Sequence, residues 1–185
     1  MTKDFMFLSN RELKTQQLFL TLVDLLADHP LASIKVTVLC RQAGISRTFF
    51  YRHFKSPEDI IASEFTRRRD QYLHTLVREQ IHDPFAQTVR FFELFNSFRE
   101  PAKQLINANL RYILYFHFRD WLKNLVETQL LQTTLQNPKY WTVYLAGGLS
   151  EMILLWLQNE PPQSPEQMAQ MVFNFINIQT NPTDN

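Results

Sequence analysis

Between Pro30 and Lys55 the chain carries five cations, Lys35, Arg41, Arg47, Arg52 and Lys55, and no carboxylate. Thr37, Thr48, Phe49, Tyr51 and His53 are interleaved with them. Such a mixture suits a phosphate-rich partner, because cations neutralise phosphates and an arginine can also fork onto a base edge. A solvated basic face is the plainer reading of the same charges. Charge alone leaves the two readings even. The 185 residues sum to +1, yet residues 1–69 hold 11 Lys/Arg against 7 Asp/Glu, hence +4. Residues 70–185 hold 8 against 11, hence −3, so the positive charge is local to one end.

The elements that must position these residues read as helices. Hydrophobic content of 45% and aromatic content of 14% supply a substantial core, only 3 glycines occur, and no alternating strand pattern persists. The expected fold class is all-α. Ser9 or Asn10 starts a helix to about Asp28, with Leu18, Leu22, Leu25 and Leu26 on one face, and His29-Pro30 ends it. A short helix follows over about 35–43, with Val36, Leu39 and Ala43 inward, and Gly44 supplies the turn. Ser46 caps the next helix, whose buried face is Phe50 and Phe54. Ser56-Pro57-Glu58-Asp59 is a start signal for a helix to about Glu79, with Asp59 completing a capping-box arrangement.

Helix, tight turn and helix form the helix-turn-helix arrangement, in which the second helix offers its first residues to the major groove. On a helix beginning at Ser46, the outward residues are Arg47, Thr48, Phe49, Tyr51, Arg52 and His53. Arg47 can pair with guanine or hold a phosphate, and Thr48 can pack its methyl on thymine. Tyr51, His53 and Lys55 suit backbone clamping, which sets register without reading bases.

The stretch "IKVTVLCRQAGISRTFFYRHFKSPEDII" resembles the N-terminal DNA-binding domain of the tetracycline-repressor (TetR) family. Gly44, Ser46, Phe50, Tyr51, Phe54, Lys55 and Glu58 fall on that family's pattern in register, and Ile60 takes its final aliphatic position. The likeness covers about residues 10–61, a third of the chain. It implies a homodimer on a palindromic, double-stranded operator, with a C-terminal helical domain for dimerisation and effector binding. The sequence departs from the pattern at Lys35, where the family usually has a capping, phosphate-binding Thr. Lys35 can still meet phosphate, but Ser33 or Thr37 must then help start the helix. Phe49 replaces a small polar residue and either stacks on thymine methyls or sugars, or packs on the neighbouring helix. The DNA-binding set is therefore Lys35, Thr37, Ser46, Arg47, Thr48, Phe49, Tyr51, His53 and Lys55. The expected organisation is a helix-turn-helix domain over 9–55, a connecting helix over 56–80 and a dimerisation and regulatory domain over 81–180.

In that last region Asp83-Pro84 starts a helix, Pro101 breaks it from a short one, and a long helix runs over about 109–132. Asn137-Pro138 opens the next, to about 159, and Ser164-Pro165-Glu166 opens the last, to about Ile178. The tail "NPTDN" is expected to fray. "YLAGGLSEMILLWLQNE" resembles a TetR subgroup that includes activators of dihydroxyacetone-kinase operons. Ala146, Gly147 and Ser150 can let another helix approach, so the last two helices, with Trp156, are candidates for an intersubunit four-helix bundle. Tight packing inside one subunit is the alternative. Tyr72, Phe95, Tyr112 and Phe116, with His117 as the polar contact, are candidates for an effector pocket, although an aromatic stripe is more often core. The "RRR" at Arg67–Arg69 reads better as a solvated helix face than as a phosphate contact.

Other function classes find little support. No Gly-rich phosphate loop, His-x-x-x-His pair or nucleophile elbow occurs, and the five histidines have no ligand spacing. Neither metal nor cofactor is expected. The single Cys40 excludes an internal disulfide and reads as an inert core thiol. No segment has the length of a membrane span or the apolar run of a signal peptide, so a cytoplasmic regulator is expected, more a repressor than an activator, answering to a small apolar effector or a protein co-regulator.

Overall fold

The computed structural model describes residues 9–127, 138–160 and 162–178. Among the described residues it contains nine α-helices and one short 3-10 turn, and no strand. The helices are α1 (Asn10–Leu26), α2 (Val36–Gln42), α3 (Arg47–His53), α4 (Pro57–Arg78), α5 (Pro84–Asn96), α6 (Arg99–Asn107), α7 (Arg111–Glu127), α8 (Pro138–Gln158) and α9 (Pro165–Ile178). Contacts divide the chain into two compact units, one of residues 1–67 with 104–110 and one of 68–103 with 111–185, as far as these are described.

Local chemistry sets most helix ends. Ser9 and Glu12 form a reciprocal capping box on α1. Asp83 caps α5 through the Ala86 amide at 2.9 Å, and Ser164 with Gln167 repeats the box on α9. On α4 the acidic half of the expected box forms, the Asp59 carboxylate accepting from the Ser56 amide at 3.3 Å and also from the Lys55 amide at 2.7 Å. Pro101 lies inside the first turn of α6, which starts two residues before it; the break from α5 falls at Ser97–Phe98. A first-turn proline forfeits only an amide that has no helical partner. The far end of the helix expected over 109–132, and the tail after 178, lie outside the described residues.

The first unit closes on Leu18 and Leu22 of α1, Leu39 of α2, Phe50 of α3 and Ile60 and Ile61 of α4, all 0% exposed. Cys40 is buried in this core, and burial pushes its thiol above the ordinary value, which makes it unreactive. In the second unit, the Phe91 and Phe95 rings of α5 meet Phe118 and Trp121 of α7 and Tyr72 of α4 at centroid distances between 4.7 and 6.1 Å. In this unit α7 packs on α8, and α5 packs on α9 with Phe85 against Phe173.

Candidate nucleic-acid interface

The turn between α2 and α3 is built by backbone chemistry at three residues. Gly44 has φ of +66°, a left-handed conformation that a Cβ resists. Its amide donates to the Arg41 carbonyl at 3.3 Å, and the Ile45 amide donates to the Cys40 carbonyl at 2.9 Å, the two bonds of a Schellman ending. Ser46 Oγ then accepts from the Phe49 amide at 3.1 Å and starts α3. One helix ends and the next begins within four residues, so the direction of α3 is fixed locally.

Anchoring by Phe50 and Phe54 decides which side of α3 is free. Arg47, Thr48, Tyr51 and Arg52 are exposed, with Tyr51 at 62%. Lys55, Ser46, Lys35 and Thr37 are exposed as well. Two residues expected to face outward behave differently. Phe49 and His53 are half-buried, their rings meet at 4.6 Å tilted by 54°, and Lys14 Nζ of α1 lies 5.4 Å from the Phe49 ring centroid. Phe49 therefore packs between the first helix and the next turn of its own helix. Its ring is thus held from two sides while part of it stays accessible.

The start of α2 also departs from expectation. Lys35 is its N-cap and makes no side-chain cap bond, while Ser33 Oγ donates back to the Pro30 carbonyl at 2.8 Å. Ser33 thus serves the preceding 3-10 turn and not α2. Lys35 remains an exposed cation at the helix start.

Arg11 and Lys14, both exposed on α1, add to this basic surface and are absent from the set read from the sequence. Arg11 and Arg52 act on His53, whose imidazole is held below its ordinary value by burial first and then by these two cations. Together Arg11, Tyr51, Arg52, His53 and Lys55 line one side of an open groove closed by the first turns of α4. The signal was available: positions 11, 14, 18 and 22 share one face of α1, so its core stripe, extended back two turns, lands on these cations.

The second set of candidates is rearranged. On α8, Ala146 and Ser150 are 0% exposed and Trp156 is 1% exposed, so all three face the interior of their own subunit. Ser150 Oγ donates to the Ala146 carbonyl at 2.6 Å, and Trp156 Nε1 donates to the Gln163 carbonyl at 2.8 Å. Arg99 covers the Trp156 ring at 4.5 Å while its Nη1 donates to the carbonyls of Trp156 and Leu157 at 2.8 and 2.9 Å. These residues pack one subunit and present nothing to a second copy. Gly147 is half-buried, and a Cβ at Gly147 or Gly148 would meet nothing within 4 Å. The outward face instead carries Tyr140, Tyr144 and Leu155, exposed by 71, 62 and 62%.

The five effector-pocket candidates are not gathered into one lining. Tyr72 and Phe95 lie in the aromatic core, where the Tyr72 hydroxyl donates to the Gln87 carbonyl at 3.2 Å and burial raises its phenol value. Tyr112 and Phe116 are exposed, four residues apart on the outer side of α7. His117 is half-buried, and burial lowers its value. Among the described residues Trp121 Nε1, inside the aromatic cluster, meets no acceptor. No group of His, Cys, Asp and Glu among the described residues could hold a metal ion, and no described helix is long and apolar enough to cross a membrane.

The described residues form a helix-turn-helix unit and a second helical unit, and comparison with known proteins says which family this arrangement belongs to. The TetR profile described as the transcriptional regulator C-terminal region matches residues 82–178, just over half of the sequence. The chain belongs to the TetR family of transcriptional regulators, whose members bind DNA as dimers and are not enzymes. Among solved structures, the Lin0861 protein of Listeria innocua is similar with a TM-score of 0.69 at 17% identity, over 94% of this chain and 96% of that one. A TetR transcriptional regulator of Streptococcus agalactiae is similar with a TM-score of 0.61 at 17% identity, over 90% and 94%. No curated protein matches the sequence.

Proposed function

We propose that the protein is a transcriptional repressor that binds a palindromic operator as a homodimer. Residues 9–55 read the DNA, 56–80 connect, and 81–180 dimerise and regulate. The observation that carries this reading is the exposed row Arg47, Thr48 and Tyr51 on a short helix pinned from behind by Phe50. Arg47 and Thr48 stand at the N-terminal end that enters the major groove and read base edges. Lys35, Thr37, Tyr51 and Lys55 flank them as phosphate contacts, and Ser46 fixes the helix start.

The dimer forms through the outward faces of α8 and α9. Exposed apolar side chains stand on both helices, Tyr140, Tyr144 and Leu155 on α8 and Met171 and Phe175 on α9, the last two exposed by 39 and 57%. Gly147 and Gly148 lie on the same side of α8 and leave room for a neighbouring helix. Burying such a stripe against its symmetry mate is the ordinary remedy for an apolar surface.

Release by a small apolar effector is supported by the aromatic cluster around Tyr72 and Phe95, where the Trp121 indole offers a buried donor. Control by a protein co-regulator has its own support in the exposed pair Tyr112 and Phe116. That second mode fits the resemblance of residues 144–160 to the dihydroxyacetone-kinase operon subgroup. A thermal-shift screen against metabolites, run beside a pull-down from host lysate, separates the two.

Selection from random duplex DNA tests the central reading and should return a two-fold symmetric site. On that site Arg47→Ala should lower affinity and relax base preference, while Lys55→Ala should weaken all duplexes alike. An Arg47→Ala protein with unchanged affinity and preference removes α3 as the reading helix.

A further inference from the structure

The groove beside α3 carries more positive charge than its own residues neutralise. Arg11, Arg52 and Lys55 bring three cations to it and Asp59 one carboxylate, a surplus of two positive charges. The Asp59 carboxylate is already committed to the amides of Lys55 and Ser56. Arg11 is exposed and makes no ion pair among the described residues. His53 shares the lining with Arg11 and Arg52, and both charges act on its imidazole. Like charges converging on an open groove repel one another, and an anion seated between them relieves that repulsion.

We propose that this groove seats a backbone phosphate of the operator strand, outside the bases that α3 reads, with Arg11 as a contact supplied by the first helix. The inference rests on the DNA-binding reading above. A phosphodiester suits the site because Tyr51 belongs both to the groove and to the exposed side of α3, and Lys55 lines the groove two residues beyond the end of that helix, so one strand can pass from the reading row into it. The groove is also open and about 360 Å³, roomier than one isolated oxyanion needs and suited to a continuous strand. Arg11 then extends the footprint beyond the helix-turn-helix and ties α1 to the DNA.

The test is the salt dependence of binding to two duplexes, the selected operator and a scrambled duplex of equal length. Arg11→Ala should reduce the slope of log K against log salt by about 0.9 for each subunit engaged. At about 0.15 M salt that corresponds to roughly fivefold weaker binding per contact, equal on both duplexes. Arg11→Lys should keep the slope, because a point charge still neutralises a phosphate. An Arg11→Ala slope equal to wild type, or a loss confined to the operator, overturns the inference. So does saturable binding of inorganic phosphate that Arg11→Ala abolishes while the duplex slope stays unchanged, since the groove would then serve a free anion. A wild-type protein that holds neither duplex overturns the DNA-binding reading itself, and the groove with it.

Discussion

Leu155 and Trp156 are neighbours in the sequence, and their substitution should have opposite consequences. A step of one residue turns a helix by about 100°, which sends Leu155 outward at 62% exposure and Trp156 inward at 1%. Burying a leucine completely is worth about 1.5–3 kcal/mol, so the part of Leu155 left for a partner to cover is worth about 1–2 kcal/mol. Two-fold symmetry doubles this to about 2–4 kcal/mol, roughly thirty- to a thousandfold in the dimer dissociation constant. Leu155→Glu should lose at least that much, since it also sets a carboxylate against the partner. Trp156→Ala should leave the outward face alone and empty a buried site at a cost of about 3–5 kcal/mol, with about 1 kcal/mol more for the lost bond to the Gln163 carbonyl. At about 2–4 °C per kcal/mol for a chain of this length, its thermal midpoint should fall by roughly 8–24 °C. Sedimentation velocity and thermal unfolding, run on both variants over a range of concentrations, separate the two effects. A Leu155→Glu protein that stays as dimeric as wild type refutes the assignment of this face, and Trp156→Ala with an unshifted midpoint refutes the inward one.

Ser46→Ala removes the 3.1 Å cap on the Phe49 amide and should cost about 1 kcal/mol per subunit, read as weaker operator binding with base preference intact. Binding should also depend on pH through His53. Its imidazole is held low in the free protein by burial and by Arg11 and Arg52, and a nearby phosphate favours the protonated form. The complex therefore takes up a proton, so affinity should be flat above neutral pH and rise as pH falls into the weakly acid range. His53→Gln should abolish that rise in fluorescence anisotropy titrations; a rise that survives the substitution assigns it to another group.

The turn and the exposed side of α3 were largely legible because their signals are local. A glycine at a left-handed position, a serine cap one residue beyond Ile45 and aromatics four apart determine where α3 starts, ends and faces. Phe49 was ambiguous for a non-local reason. Its outcome depends on Lys14, thirty-five positions earlier, and on the path of α1 beside α3. The effector candidates went the same way. Tyr112, Phe116 and Phe118 are adjacent aromatics on one helix, yet only Phe118 meets the Phe95 ring.

The face of α8 shows the limit most clearly. Apolar or small residues run almost all round this helix, so helical spacing alone cannot say which side is core. Ala146, Gly147 and Ser150 looked equivalent as a place for close approach, and packing in the second unit turned Ala146 and Ser150 inward while leaving Tyr140, Tyr144 and Leu155 outside. The sequence by itself determined the helices, their caps, the turn at Gly44 and the basic character of the first unit, all consequences of bonds and torsions within a few residues. Only the tertiary structure decided which cations converge on one groove and which face of α8 remains for a partner, because those depend on where distant helices lie.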